Sequence, residues 1–74
     1  MSLKIEALRA RYTAQRLEAI ATLEVYMKNS VGIGEHPQII DEMDKLIGDI
    51  ESADGKIGVL DNLFINTKDN NPEK

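Results

Sequence analysis

Residues 39–65 read IIDEMDKLIGDIESADGKIGVLDNLFI, and this stretch decides the fold. Its apolar residues recur at alternating intervals of four and three, a spacing that keeps them on one face of an α-helix turned towards a partner helix. This heptad stripe consists of Ile39, Met43, Leu46, Ile50, Ala53, Ile57, Leu60 and Phe64. The stripe predicts helix–helix packing and carries no chemistry of its own.

Three glycines are the weak points of this predicted helix, which spans about 37–65. Gly48, Gly55 and Gly58 each cost up to about 1 kcal/mol relative to alanine inside a helix, and Asp54-Gly55 is a common turn dipeptide. The heptad phase nevertheless runs unchanged through this point, which favours one continuous helix over two short ones. Gly48 and Gly55 lie on the outer face, where they either admit a close neighbour or merely weaken the helix.

A first helix is predicted over about 3–29, because this segment contains no glycine or proline and Ser2 is a suitable N-cap residue. At about 100° per residue its apolar side chains fall on two opposite faces. The inner face consists of Ile5, Leu8, Tyr12, Ala19, Ile20, Leu23 and Met27; the smaller outer face consists of Leu3, Ala7, Ala10, Ala14, Leu17, Ala21 and Val25. The outer face indicates a second partner, unless its alanines are there only as good helix formers.

Residues 30–36 separate the two predicted helices. Gly32 and Gly34 are signals for the end of the first helix, and Pro37, which follows, suits the first turn of the second. So short a connection joins antiparallel neighbours. The chain is therefore predicted to be all-α: one helical hairpin over 1–65, followed by a disordered polar tail over 66–74. The charges also favour pairing of the two helices within one chain, because the first is basic and the second acidic. Residues 3–29 hold five Lys or Arg and three Glu, whereas residues 37–65 hold seven acids and two Lys.

Folding the chain at Ile33 brings Tyr12 opposite Ala53, a large-to-small match of the kind found in cores. The same register places Arg16 near Ile50, with its guanidinium able to reach Asp49 or Asp54. The predicted core between the two helices consists of Ile5, Leu8, Tyr12, Leu23, Ile39, Met43, Leu46, Ile50, Ala53, Ile57, Leu60 and Phe64.

The chain is too short for its core alone to make it very stable. At 74 residues, a single core supplies only about 3–5 kcal/mol unless disulfides, metals or oligomerisation support it. There are no cysteines and only one histidine, which leaves oligomerisation. We expect a homo-oligomer, most simply a dimer that forms a four-helix bundle. Its contacts would come from the outer face of the first helix, through Ala7, Ala10, Ala14, Leu17, Ala21 and Val25.

Composition makes several functions improbable. A net charge of −4 argues against general affinity for nucleic acids or anionic membranes. No apolar run reaches the roughly 18 residues of a membrane span, and the first residues have no signal-peptide core. We expect a cytoplasmic, non-enzymatic protein without a cofactor, acting as a structural or accessory protein–protein interaction module.

Two alternatives remain open from the sequence. Glu35 and His36 in the predicted turn could form a small metal or ligand site if symmetry brought two turns together. Arg9, Arg11 and Arg16 beside Tyr12 could form a basic patch, which would suit a regulatory module that binds nucleic acid or an enzyme acting on it.

The string VGIGEHP at 31–37, preceded by LEVYM at 23–27 and followed by IDEMDKL at 40–46, resembles a pattern in short uncharacterised proteins of tailed phages. These phages are mainly those that infect marine cyanobacteria. The resemblance covers the central third of the chain. It implies a small accessory helical-hairpin protein made inside an infected bacterial cell, and it brings no activity or ligand with it.

Overall fold

The computed structural model describes residues 2–28 and 38–65. They form helix α1, Leu3–Lys28, helix α2, Ile39–Leu60, and a π-helical segment, Asp61–Ile65, that continues directly from α2. The two long helices pack against each other, and no strand occurs among the described residues. The fold is an all-α helical hairpin, as the heptad stripe predicts. The predicted turn and the predicted tail lie outside the described residues, as do Asn29 and Pro37.

Two ion pairs define the orientation of the helices. Arg9 pairs with Asp61, and Arg16 pairs with Asp54. As the chain advances along α1, its partner on α2 therefore moves back, so the helices are antiparallel. Each pair joins residues about one helical turn beyond the predicted register, which places Arg16 nearest Ile50.

The start of α1 is capped by a side chain. The amide of Ile5 donates a hydrogen bond to Ser2 Oγ at 3.2 Å, and the amide of Glu6 donates to the Ser2 carbonyl oxygen at 3.0 Å. Ser2 Oγ thus satisfies the Ile5 amide, which has no partner inside the helix, while the Ser2 carbonyl accepts the first backbone bond of the helix. The N-cap predicted from the sequence is confirmed.

Helix α2 is continuous through Asp54 and Gly55, in agreement with the unbroken heptad phase. Gln38 occupies its N-cap position without a side-chain hydrogen bond to the helix. Asp41 and Glu42 lie in the first turn, where their negative charge is favourable at the positive end of the helix dipole. The start of α2 therefore depends on charge rather than on a side-chain cap.

The core is thin. Among the described residues, only Ala19, Ala53 and Leu60 are buried, at 5%, 2% and 7% exposure. The other predicted core residues of α1 and α2 are half-buried. Two helices alone cover few side chains fully: two of the three buried residues are alanines, and of the larger predicted core residues only Leu60 is buried.

The prediction for Phe64 is wrong. It continues the heptad stripe in sequence, yet its side chain is 52% exposed. Phe64 lies in the π-helical segment Asp61–Ile65, where the wider turn changes the angle between successive residues, so the 4-3 spacing no longer keeps side chains on the face of the stripe. At the other end of the contact line Met27, predicted on the inner face, is also exposed one residue before α1 ends.

Candidate interaction surface

One edge of the hairpin carries a two-point ion pair. Arg9 Nε donates to Asp61 Oδ1 at 2.9 Å, and Arg9 Nη2 donates to Asp61 Oδ2 at 3.2 Å. The hydrogen bond from Arg9 is the main cause that lowers the pKa of Asp61; partial loss of water around the carboxylate opposes it, and the positive charge of Arg9 adds to it. The same hydrogen bond raises the pKa of Arg9. The pair joins the first half of α1 to the first residue of the π-helical segment that follows α2.

A second ion pair lies on the same edge, seven residues further along α1. Arg16 Nε donates to Asp54 Oδ1 at 2.6 Å, and both side chains are well exposed to water. Asp54 is one of the two partners predicted for Arg16. An exposed pair of this kind contributes about 0–1 kcal/mol, so its main effect is on register and orientation.

These ion pairs bear on the predicted basic patch. Arg9 and Arg16 already form ion pairs with Asp61 and Asp54. Tyr12 is half-buried, and Lys56 Nζ lies 5.3 Å from the centre of its ring, within cation–π range. The third arginine of the predicted patch, Arg11, is exposed. The arrangement favours hairpin stability over contact with a phosphate backbone.

The opposite side of α1 is an exposed apolar surface. We call it the outer face of α1, and all of its residues are exposed: Leu3, Ala7, Ala10, Ala14, Leu17, Ala21 and Val25. Its three larger members, Leu3, Leu17 and Val25, are 79%, 56% and 48% exposed. The face runs almost the whole length of the helix, and α2 covers none of it.

A shallow groove borders this face in the first half of α1. It is lined by Glu6, Arg9, Ala10, Thr13, Ala14 and Leu17. Its floor consists of alanines, and small side chains let the backbone of another helix come close. The groove therefore suits a helix better than a compact ligand.

Helix α2 and the π-helical segment also expose large apolar side chains. These side chains do not form a second continuous apolar face. They are Ile40, Ile47, Val59, Leu63, Phe64 and Ile65. Ile40 and Ile47 share one side of α2, whereas Val59, twelve residues beyond Ile47, lies about a third of a turn away at 100° per residue. These residues form separate groups divided by acidic positions, in contrast to the single line on α1.

The other edge of the hairpin is a polar groove between the helices. It is lined by Gln15, Glu18, Ala19, Thr22, Leu46, Asp49, Ser52 and Lys56. None of its charged or polar side chains is buried. The groove lacks the desolvated polar group that would fix a small ligand in one orientation.

No group of three or more potential metal ligands occurs within residues 2–28 and 38–65. Glu35 and His36, the predicted candidates for a metal or ligand site, lie outside the described residues. Neither described helix is long and apolar enough to cross a membrane. What the described part of the chain does offer is the outer face of α1.

Fold and surface together define an antiparallel two-helix hairpin with an exposed apolar face. No family model, curated protein or solved structure significantly matches this chain. The resemblance to tailed-phage proteins therefore stays a prediction from residues 23–46. Function has to be inferred from the surface itself.

Proposed function

We propose that this chain is a non-enzymatic interaction module that self-associates through the outer face of α1, with a dimer as its basic unit. Its role would be structural or accessory. A cytoplasmic setting fits the absence of cysteine. That setting is a host cytoplasm if the resemblance to phage proteins holds.

One observation carries the proposal: the outer face of α1 is a continuous apolar line that the hairpin leaves uncovered. Scattered exposed apolar residues are normal on a protein surface, whereas a contiguous row marks a contact site. The alanines alone would fit a simple preference for good helix formers. Leu3, Leu17 and Val25 on the same line are better explained by a partner.

The thin core supports the same conclusion. With three buried side chains among the described residues, the hairpin has little apolar burial to offset the conformational entropy that it loses on folding. Association would bury further apolar area and stabilise the folded chain by mass action. Self-association thus supplies stability that the single hairpin lacks.

The nucleic-acid alternative has weaker support. It needs a clustered, accessible basic surface on α1, and two of the three predicted arginines form ion pairs within the hairpin. If the alternative were correct, binding to a nucleic acid would weaken steeply with salt. Titration of a labelled duplex at two salt concentrations is the corresponding measurement.

The test of the proposal is a comparison of Ala14→Glu with Gln15→Glu by sedimentation equilibrium, from micromolar to submillimolar protein. Both substitutions add one negative charge to an exposed position of α1. Ala14 lies at the centre of the outer face, whereas Gln15 lies about 100° around the helix. We expect Ala14→Glu to raise the dissociation constant about a hundredfold or more, because the charge would be desolvated in the contact.

The matched control should leave the mass unchanged, and circular dichroism should show both variants to be helical. A wild-type mass of 8.3 kDa throughout the concentration range, with full helicity, would contradict the proposal. So would equal association of wild type and Ala14→Glu, since the contact would then lie elsewhere.

A further inference from the structure

The outer face of α1 has nearly the same pattern in both chain directions. Leu3 and Val25 lie eleven residues before and after Ala14, and Ala7 and Ala21 lie seven before and after it. Ala10 and Leu17 lie four before and three after. Large side chains therefore occupy both ends and alanines most positions between them, with Leu17 as the one large side chain near the centre, and all of these residues are exposed.

A surface with this symmetry is complementary to a copy of itself rotated by a two-fold axis. We infer that the outer face of α1 binds the same face of a second copy, with the two α1 helices antiparallel and the axis passing through Ala14. This inference rests on the self-association proposed above and specifies its geometry. Leu3 would lie against the partner's Val25, and Ala7 against the partner's Ala21.

Charges on one edge of the face support the antiparallel arrangement. Arg11 and Glu18 lie on the same edge, about 20° apart around the helix. A two-fold axis through Ala14 places Arg11 beside the partner's Glu18 and, by symmetry, Glu18 beside the partner's Arg11. Neither residue belongs to the ion pairs found among the described residues. A parallel dimer in register would instead turn this edge towards the opposite edge of the partner's α1, so Arg11 and Glu18 would not face each other across the contact.

The opposite edge makes an unfavourable contribution. Glu6 and Glu24 lie there, and the same axis brings Glu6 near the partner's Glu24. Both carboxylates are exposed, so their repulsion is screened by water and salt. The two arginine–glutamate contacts oppose it at low ionic strength.

The position of the outer face also determines how the four helices are arranged. Ala14 is five residues before Ala19, the buried contact of α1 with α2, and Ala21 is two residues after it. At 100° per residue these positions lie on the far side of α1 from α2. The dimer is therefore a row in the order α2, α1, α1, α2, whereas the four-helix bundle expected from the sequence would place neighbours about a quarter turn apart.

The absence of native cysteine permits single-cysteine cross-linking as the first test. Ala14→Cys lies on the proposed axis, where the close approach of two alanine faces suits the roughly 4.4–6.8 Å that a disulfide needs between Cα atoms. We expect rapid covalent dimerisation of Ala14→Cys under mild oxidation. Ala7→Cys alone should stay uncross-linked, and a mixture of Ala7→Cys with Ala21→Cys should form the mixed dimer.

The second test is a charge exchange at low salt. Arg11→Glu or Glu18→Arg alone turns both attractive contacts into repulsive ones, and we expect the dissociation constant to rise about tenfold. The double variant Arg11→Glu with Glu18→Arg should return to the wild-type constant. Both residues are exposed helix formers, and circular dichroism checks that the hairpin stays folded.

The outcomes separate this inference from the proposed function. Efficient self-cross-linking of Ala7→Cys, or a double charge variant as weak as the single ones, overturns the antiparallel register while leaving self-association intact. A wild type that stays monomeric overturns both. Cross-linking of Ala14→Cys together with charge rescue supports the inference.

Discussion

The two helices of this hairpin use their apolar residues differently. In α2 the regular heptad stripe faces α1, and the exposed apolar residues beyond it are scattered. In α1 the apolar residues form two lines on opposite faces, of which α2 covers one. A strong periodic signal thus marks the helix with one apolar face, and a weak one marks the helix with a second apolar face that the hairpin leaves exposed.

This difference follows from how an amphipathic pattern arises. One apolar face opposite a polar face gives a clear periodicity, whereas two opposite apolar faces cancel in the periodic average. Most polar residues of α1 lie between its two apolar faces. One edge, with Arg9 and Arg16, forms the ion pairs with α2.

The largest expected effect is on the free energy of unfolding, and it tests whether the hairpin is held together by the heptad stripe of α2. Leu60→Asp places an unpaired charge at one of the three buried positions, and we expect a loss of about 3 kcal/mol or more in the free energy of unfolding. Val59→Asp adds the same charge at the exposed neighbouring position and should cost far less. Thermal and urea unfolding, followed by circular dichroism at matched protein concentration, measure both. Equal stability of the two variants would show that the stripe does not pack as described.

A smaller, opposite effect tests whether the outer side of α2 is free of partners. An added Cβ at Gly48 or Gly55 meets no atom within 4 Å. Replacement of a helical glycine by alanine should therefore stabilise the hairpin by about 0.5–1 kcal/mol per site. Urea unfolding measures the gain.

Self-association should be unchanged in Gly48→Ala and Gly55→Ala, because the proposed contact lies on α1. Loss of association in these variants would move the partner to α2. It would also revive the alternative that these glycines admit a close neighbour.

The smallest effect concerns the pH dependence of the Arg9–Asp61 pair. The pKa of Asp61 is lowered in the folded chain by its hydrogen bonds from Arg9. A carboxylate with a lowered folded pKa stabilises the fold above its unfolded value of about 3.9, and that contribution is lost as the pH falls through the folded pKa. The free energy of unfolding of wild type should therefore exceed that of Asp61→Asn above about pH 4 and converge with it at lower pH.

Arg9→Gln supplies the control. In that background the effect of Asp61→Asn on the free energy of unfolding should lose most of its pH dependence, because the hydrogen bonds that lower the pKa are gone. A pH profile unaffected by Arg9→Gln would assign the effect to another group.

Local signals predicted much of the fold. Ser2 is an N-cap by chemistry, α1 lacks breakers, and the constant phase from Ile39 to Leu60 outweighed the turn signal at Asp54-Gly55. The Arg16–Asp54 pair followed from the antiparallel register and opposite charges. The outer face of α1 followed from helical geometry.

Other features depend on tertiary geometry that periodicity does not encode. The alternation of four and three assumes ordinary α-helix throughout, so it placed Phe64 in the core and missed the π-helical segment. Depth of burial depends on how closely the two axes approach, which is why Ala19 is among the most buried residues. The Arg9–Asp61 pair was missed because its atoms meet a helical turn away from the register predicted for their backbones.

The π-helical segment also limits the hairpin in a way that the heptad stripe alone would not. The segment begins where the buried part of the stripe ends, since Leu60 is buried whereas Leu63 and Phe64 are 57% and 52% exposed. Up to that point the 22 residues of α2 correspond to about 33 Å of rise. A π-turn changes the angle between successive residues, so apolar residues continued beyond Asp61 at intervals of four and three would leave the face that the stripe occupies on α2.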